Sequence, residues 1–184
     1  MAFFCGVEYV IIGGVEVRKL KSGKSNIVAY LDDYQLISVY LSKYYYEGKS
    51  SVFRLRDHRL GTLTNLDIIK TYESRQGDDV VYKLKVDKPL VVGEEYDIVD
   101  AYGLSCPLVY GRIVRLDTFD QQFSCPDAKL GAIYTKEKTI FRVWAPTATK
   151  CKVEYVVNNQ SHTHRMQRQE NGIYEAEVYG DLDG

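Results

Sequence analysis

The sequence has no excess of charge of either sign. Its 24 Lys and Arg stand against 25 Asp and Glu, a formal net charge of −1, and so provide no field for gripping phosphate backbones or anionic lipid. Nucleic acid and membrane are thereby set aside as partners, and a neutral ligand is the easier match. No apolar run approaches the roughly 20 residues that span a bilayer. The apolar N-terminus lacks the basic leading region of a secretory signal and is interrupted by Glu8. It is read as a strand, and the protein as cytoplasmic. Cysteine is sparse and dispersed: Cys5, Cys106, Cys125 and Cys151 form neither a Cys-x-x-Cys pair nor a cluster with the three histidines. That argues against zinc and leaves most of them as expected buried thiols, with no cofactor implied. There is no sustained helical period, no internal repeat and no low-complexity tract.

What the chain does have is tyrosine, 16 residues against 6 Phe and 1 Trp, together with frequent Val, Ile and Thr. These favour pleated strands over helices. Period-two patterns recur. Val80, Tyr82, Leu84 and Val86 point one way while Lys83 and Lys85 point the other, as in a half-buried antiparallel strand. The run 66–73 reads as its hairpin partner through the turn residues 75–79. Ile37, Val39 and Leu41 share one face, and Phe53 and Leu55 alternate with Arg54 and Arg56.

Gly103, Pro107 and Gly111 break the stretch 96–116 into two or three short strands that close a first sandwich. Residues 117–132 show no alternation and contain Pro126, which marks a connector. A second all-β unit follows, with strands at 139–145, 152–157 and 173–179. In the last of these Tyr174, Ala176 and Val178 face a core opposite Glu175 and Glu177. The expected division is therefore an N-terminal extension at 1–27, a β-sandwich at 28–116, the connector, and a second module at 133–184. The second is incomplete, because three strands fall short of the roughly seven of a sandwich.

From Gly111 onward the order Ile113-Val114-Arg115 (read as a strand), Phe119-Asp120, Phe123, Leu130-Gly131-Ala132, Phe141-Arg142-Val143-Trp144-Ala145-Pro146 and Gly180-Asp181-Leu182 resembles the N-terminal part of the type I pullulanases. The Phe-x-Val-Trp-Ala-Pro core is shared with isoamylases and glycogen-branching enzymes, whereas the segment 28–116 is similar to the extra N-terminal carbohydrate-binding module of the pullulanase branch. The resemblance implies two immunoglobulin-like antiparallel β-sandwich modules in tandem, the second cut short, ahead of a catalytic barrel that this sequence lacks. It implies as partners an α-glucan (starch, glycogen or pullulan) and the barrel of the full-length enzyme, which hydrolyses α-1,6 branch linkages. The family's Tyr-Asn-Trp-Gly-Tyr-Asp-Pro signature and barrel carboxylates are absent, and a retaining glycosidase needs an acid and a nucleophile about 5 Å apart. Many members carry Tyr-Asp-Gly before Leu-Gly-Ala, where this chain has Cys125-Pro126-Asp127-Ala128-Lys129. The departure leaves the module junction, and any sugar contact there, open.

Sugar recognition sets apolar pyranose faces on exposed aromatic rings. Tyr44, Tyr45 and Tyr46 place three rings where a strand passes into a loop, and at least one must face solvent if the strand persists. They are the leading candidates for a glucan platform, against the alternative that they cover the open end of a sandwich. Trp144 shares the parity of Ile140 and Arg142, away from Phe141 and Val143. It is a surface platform or, as lone Trp residues in such modules more often are, packing. Tyr155 reads as core with Val153 and Val157. His162 and His164 share a strand face but have no third ligand nearby in sequence. The segment 181–184 reads as a β-turn rather than a calcium loop, and Asp78-Asp79 and Glu94-Glu95 as turn residues rather than paired acids. Two other readings stand beside glucan binding: modules that only pack against the barrel, and a regulatory glycogen-binding subunit.

Overall fold

The structure is a computed structural model that describes residues 2–5, as backbone, and residues 25–182. Of the expected N-terminal extension, residues 6–24 lie outside the described residues, as do residues 183 and 184 of the terminal turn. The all-β expectation holds. Among the described residues, thirteen strands and one short helix fall into two compact units, one of residues 25–120 and one of residues 2–5 with 121–182.

The unit of residues 25–120 is a closed barrel of seven strands. They are β2 (Ile27–Asp33), β3 (Leu36–Ser42), β4 (Phe53–Asp57), β5 (Thr62–Glu73), β6 (Asp79–Lys85), β7 (Tyr96–Val99) and β8 (Ser105–Tyr110), in the order β2-β3-β6-β5-β4-β7-β8. Each pairing is antiparallel except the last, where β8 closes on β2 in parallel, Tyr30 opposite Val109. The period-two reading accounts for its interior. Ala29, Ile37, Val39, Leu41, Phe53, Leu84 and Ile98 are fully buried, each large side chain contributing roughly 1.5–3 kcal/mol. The same alternation turns Tyr30, Ser38, Tyr40 and Lys83 to the outer face. The hairpin expected at 66–73 starts earlier, at Thr62, and a register shift between Ile68 and Lys70 bulges Ile69 outward.

The other unit is a sheet in the order β1-β11-β12-β13-β10-β9. Its strands are β1 (Ala2–Cys5), β9 (Gly131–Tyr134), β10 (Lys138–Trp144), β11 (Cys151–Val157), β12 (Gln160–Arg168) and β13 (Ile173–Tyr179). β1 pairs antiparallel with β11, Phe3 opposite Val153. Phe141, Cys151, Val153, Met166, Tyr174, Ala176 and Val178 form the core, with Tyr155 packed against it. Arg168 and Tyr174 clamp the loop after β10: the Arg168 guanidinium donates to Pro146 O (2.8 Å) and Ala148 O (3.1 Å), and the Tyr174 phenol to Ala148 O (2.7 Å). Cys151 is disulfide-bonded, Cys106 is a buried free thiol and Cys125 a half-buried one, so the expectation of mostly buried thiols describes Cys106 alone among them.

Two local readings differ. Residues 112–115 form a 3-10 turn rather than a strand, closed by Leu116 N–H donating to Ile113 O at 3.1 Å around a fully buried Ile113. The segment 117–123 is a helix, α1 (Asp117–Phe123), with Asp117 and Asp120 in its first turn, where they suit the helix dipole. Two turns are too few for a period to register.

Candidate functional site

The outer face of the barrel carries a cavity of about 350 Å³ over β2, β3 and β6. Register builds it: Tyr30 on β2 lies opposite Ser38 on β3, which lies opposite Lys83 on β6. Asp32 stands two residues along the same face. The Lys83 ammonium donates to Asp32 Oδ2 at 2.7 Å and to Ser38 Oγ, and the Ser38 hydroxyl donates to Asp32 Oδ2. Beside this polar trio Tyr30 and Tyr40 meet edge to face, centroids 5.8 Å apart at 87°.

Gly111 forms the far wall. Its N–H donates to Leu31 O at 3.0 Å, and a Cβ there would sit 2.9 Å from Tyr30 Cβ. Only glycine lets the chain leave β8 so close to β2. The 3-10 turn that follows brings Arg112, and after it Leu116, to the cavity, which Asp33 and Leu36 also line. Two carboxylates, Asp32 and Asp33, and two cations, Lys83 and Arg112, line it, so its formal charge is zero. Ring faces, hydrogen-bonding groups and no net charge are what a polyhydroxylated neutral molecule requires.

The sequence-selected tyrosines lie just beyond the end of β3. Tyr44 is 84% exposed and Tyr46 56%, while Tyr45 is half-buried. A residue not foreseen joins them: Tyr102, from the β7–β8 connection, stacks on Tyr46 with centroids 3.8 Å apart and planes 6° from parallel. Tyr45 meets both edge-on, at 4.8 and 6.1 Å. Burial, and then the nearby Asp100 carboxylate, push the Tyr45 phenol up to about 12.

In the other unit Trp144 is 43% exposed, as its parity implies, and its indole N–H donates to Phe123 O at 2.8 Å. That donor is spent on the unit's own packing. His162 and His164 lie exposed on β12, His162 stacked on Tyr155 at 5.5 Å. Among the described residues no three His, Cys, Asp or Glu gather to hold a metal ion.

Residues 28–115 match the family described as Pullulanase N1-terminal domain, and residues 129–184 the family described as Carbohydrate-binding module 48 (Isoamylase N-terminal domain). The chain belongs with the N-terminal region of the pullulanases. Pullulanase from Bacillus subtilis (strain 168) is 32% identical over 157 residues, 85% of this chain and 21% of that one. The structure of pullulanase type I from B. subtilis str. 168 complexed with maltose aligns with a TM-score of 0.80 at 31% identity, covering 90% of this chain and 23% of that one. That of pullulanase complexed with maltotriose from Anoxybacillus sp. LM18-11 gives 0.77 at 28%, covering 86% and 22%. The chain thus spans about a fifth of the length of these relatives. Within this pullulanase N-terminal region, residues 129–184 thus match a family of carbohydrate-binding modules.

Within it, sequence reasoning found the tyrosine cluster but missed the cavity. The available signal was the outward parity of Tyr30, Asp32, Ser38 and Tyr40, aromatic and polar where a plain solvent face carries long charged side chains. Lys83 and Gly111 join only once three strands and a loop are aligned.

Proposed function

We propose that the barrel of residues 25–120 binds α-glucan in the cavity between Tyr30, Tyr40, Lys83 and Gly111, as the substrate-holding part of a pullulanase that hydrolyses α-1,6 branch linkages. The observation that carries this reading is the pairing of an aromatic wall with a charge-balanced polar trio in one cavity. A pyranose face packs on the Tyr30 ring while its hydroxyls exchange hydrogen bonds with Asp32 and Lys83, each such charge-assisted bond contributing about 1.5–3 kcal/mol. Solved relatives carry maltose and maltotriose, which supports the ligand class. Open to solvent and small, the cavity suits an affinity near millimolar, about −4 kcal/mol. Such an affinity serves an enzyme by raising the concentration of substrate near its barrel rather than by retaining it.

Isothermal titration with maltohexaose and with a branched maltosyl oligosaccharide, with cellohexaose as control, tests the proposal. Saturable heat for the α-linked sugars, with affinity about tenfold weaker in Lys83→Met, is the expected result. Flat traces from protein shown folded by circular dichroism overturn it and leave the packing role.

A further inference from the structure

The tyrosine cluster has features that a mere cover for the barrel end does not require. Three rings, those of Tyr44, Tyr46 and Tyr102, are more than half exposed, and the last two are stacked. The backbone holding them is strained: Tyr46 and Glu47 both have positive φ, 45° and 56°, ahead of Gly48 at 70°. Non-glycine residues in the left-handed region cost of order 1–3 kcal/mol each and persist only where the surroundings hold them.

Those surroundings are a buried polar brace between loops 43–51 and 100–104. The Tyr82 phenol donates to Gly48 O at 2.8 Å and accepts from Ser50 N–H at 3.1 Å. Ser50 Oγ accepts from Ala101 N–H at 3.1 Å, tying one loop to the other. Asp100, fully buried, accepts from the N–H groups of Tyr102 and Leu104 through Oδ1 at 2.9 and 2.8 Å. The Tyr45 phenol interacts with the same carboxylate, which joins the cluster to this brace.

We propose that this cluster is a second α-glucan site, in which Tyr44 and the Tyr46–Tyr102 stack present their free ring faces to successive sugar units of one chain. The inference rests on the α-glucan reading above. The stack covers one face of each of its two rings and leaves the other, and Glu47 pairs with Lys49, so the ridge offers aromatic faces without net charge. From Ser38 in the cavity to Ser42 at the end of β3 is four residues, about 13 Å at strand rise, and Tyr44 lies just beyond. A short oligosaccharide occupies one site or the other, whereas a long glucan reaches both, and tethering makes the second contact intramolecular.

The test is a titration of the isotope-labelled full chain with maltohexaose, following amide and tyrosine ring resonances, paired with glycogen affinity of the wild type, Tyr102→Ala and Tyr44→Ala. The ridge site predicts saturable shifts at Tyr44, Tyr46 and Tyr102 as well as around Tyr30 and Lys83. It also predicts a glycogen affinity lowered at least tenfold in both variants, with maltohexaose shifts around Tyr30 retained. Tyr44, almost wholly exposed, keeps the test decisive if Tyr102→Ala unfolds. Shifts confined to the cavity overturn the second site and leave the proposed function standing. No shifts anywhere in folded protein overturn both.

Discussion

Lys83 and Asp32, 51 residues apart in sequence, sit 2.7 Å apart across the strand β3 that lies between theirs, with only 26% and 16% of their side chains exposed. The pair fixes the polar half of the cavity, since Ser38 bonds to both. Lys83→Met removes the cation and leaves Asp32 half-desolvated. The expected result is about tenfold weaker maltohexaose binding, the loss of one charge-assisted bond. Thermal stability should fall by about 1–3 kcal/mol for the carboxylate left behind. Calorimetry and a melting curve on one sample check both.

Gly111 sets the cavity's shape by absence. Gly111→Ala forces a methyl into the 2.9 Å approach to Tyr30 Cβ and the 3.2 Å approach to Leu31 O. Overpacking of this kind costs roughly 1–3 kcal/mol. Sugar binding should be lost even in the fraction that remains folded, and a chemical-denaturation curve beside the titration separates the two effects.

Gly48 and Gly77 share a backbone conformation but not a neighbourhood. Their φ values are +70° and +77°, yet a Cβ at Gly48 would lie 2.6 Å from Val80 Cγ2, and at Gly77 nothing stands within 4 Å. Gly77→Ala should therefore cost only the left-handed penalty, about 1 kcal/mol, and Gly48→Ala distinctly more. Urea midpoints of the two variants measure the difference, and equal midpoints would contradict the packing around Val80.

Cys106 is buried, and burial first, then the Asp97 carboxylate, pushes its thiol up from 9.0 to about 12. In the folded protein it should resist iodoacetamide at neutral pH and react once denaturant is added. Because the folded pKa is the higher one, the folded state holds the proton that the unfolded state releases. This contribution to stability is whole below pH 9 and is lost as pH rises towards 12. Cys106→Ala should flatten that alkaline decline in a pH series of melting temperatures.

Much of the architecture was legible where a strand's own alternation decides it. Ile37, Val39 and Leu41 point inward, as do Tyr174, Ala176 and Val178, while Trp144 points outward, all as period two requires. What escaped is non-local. Nothing near β1 signals its pairing with β11, and the parallel closure of β8 on β2 joins segments whose patterns are silent about direction. Tyr102 stacks on Tyr46 because two loops meet at one end of the barrel, and no spacing along the chain encodes that. The cavity is the same case, being assembled by register across three strands and by one glycine's close approach.

The central claim is that Tyr30 and its neighbours hold an α-glucan. The most direct measurement is maltohexaose titration of the wild type and of Tyr30→Ala, 37% exposed in the native fold and so replaceable without opening the core. Saturable millimolar heat in the wild type, reduced at least tenfold in Tyr30→Ala with an unchanged circular dichroism spectrum, is the predicted result. Equal heats from the two folded proteins, or none from either, would contradict it.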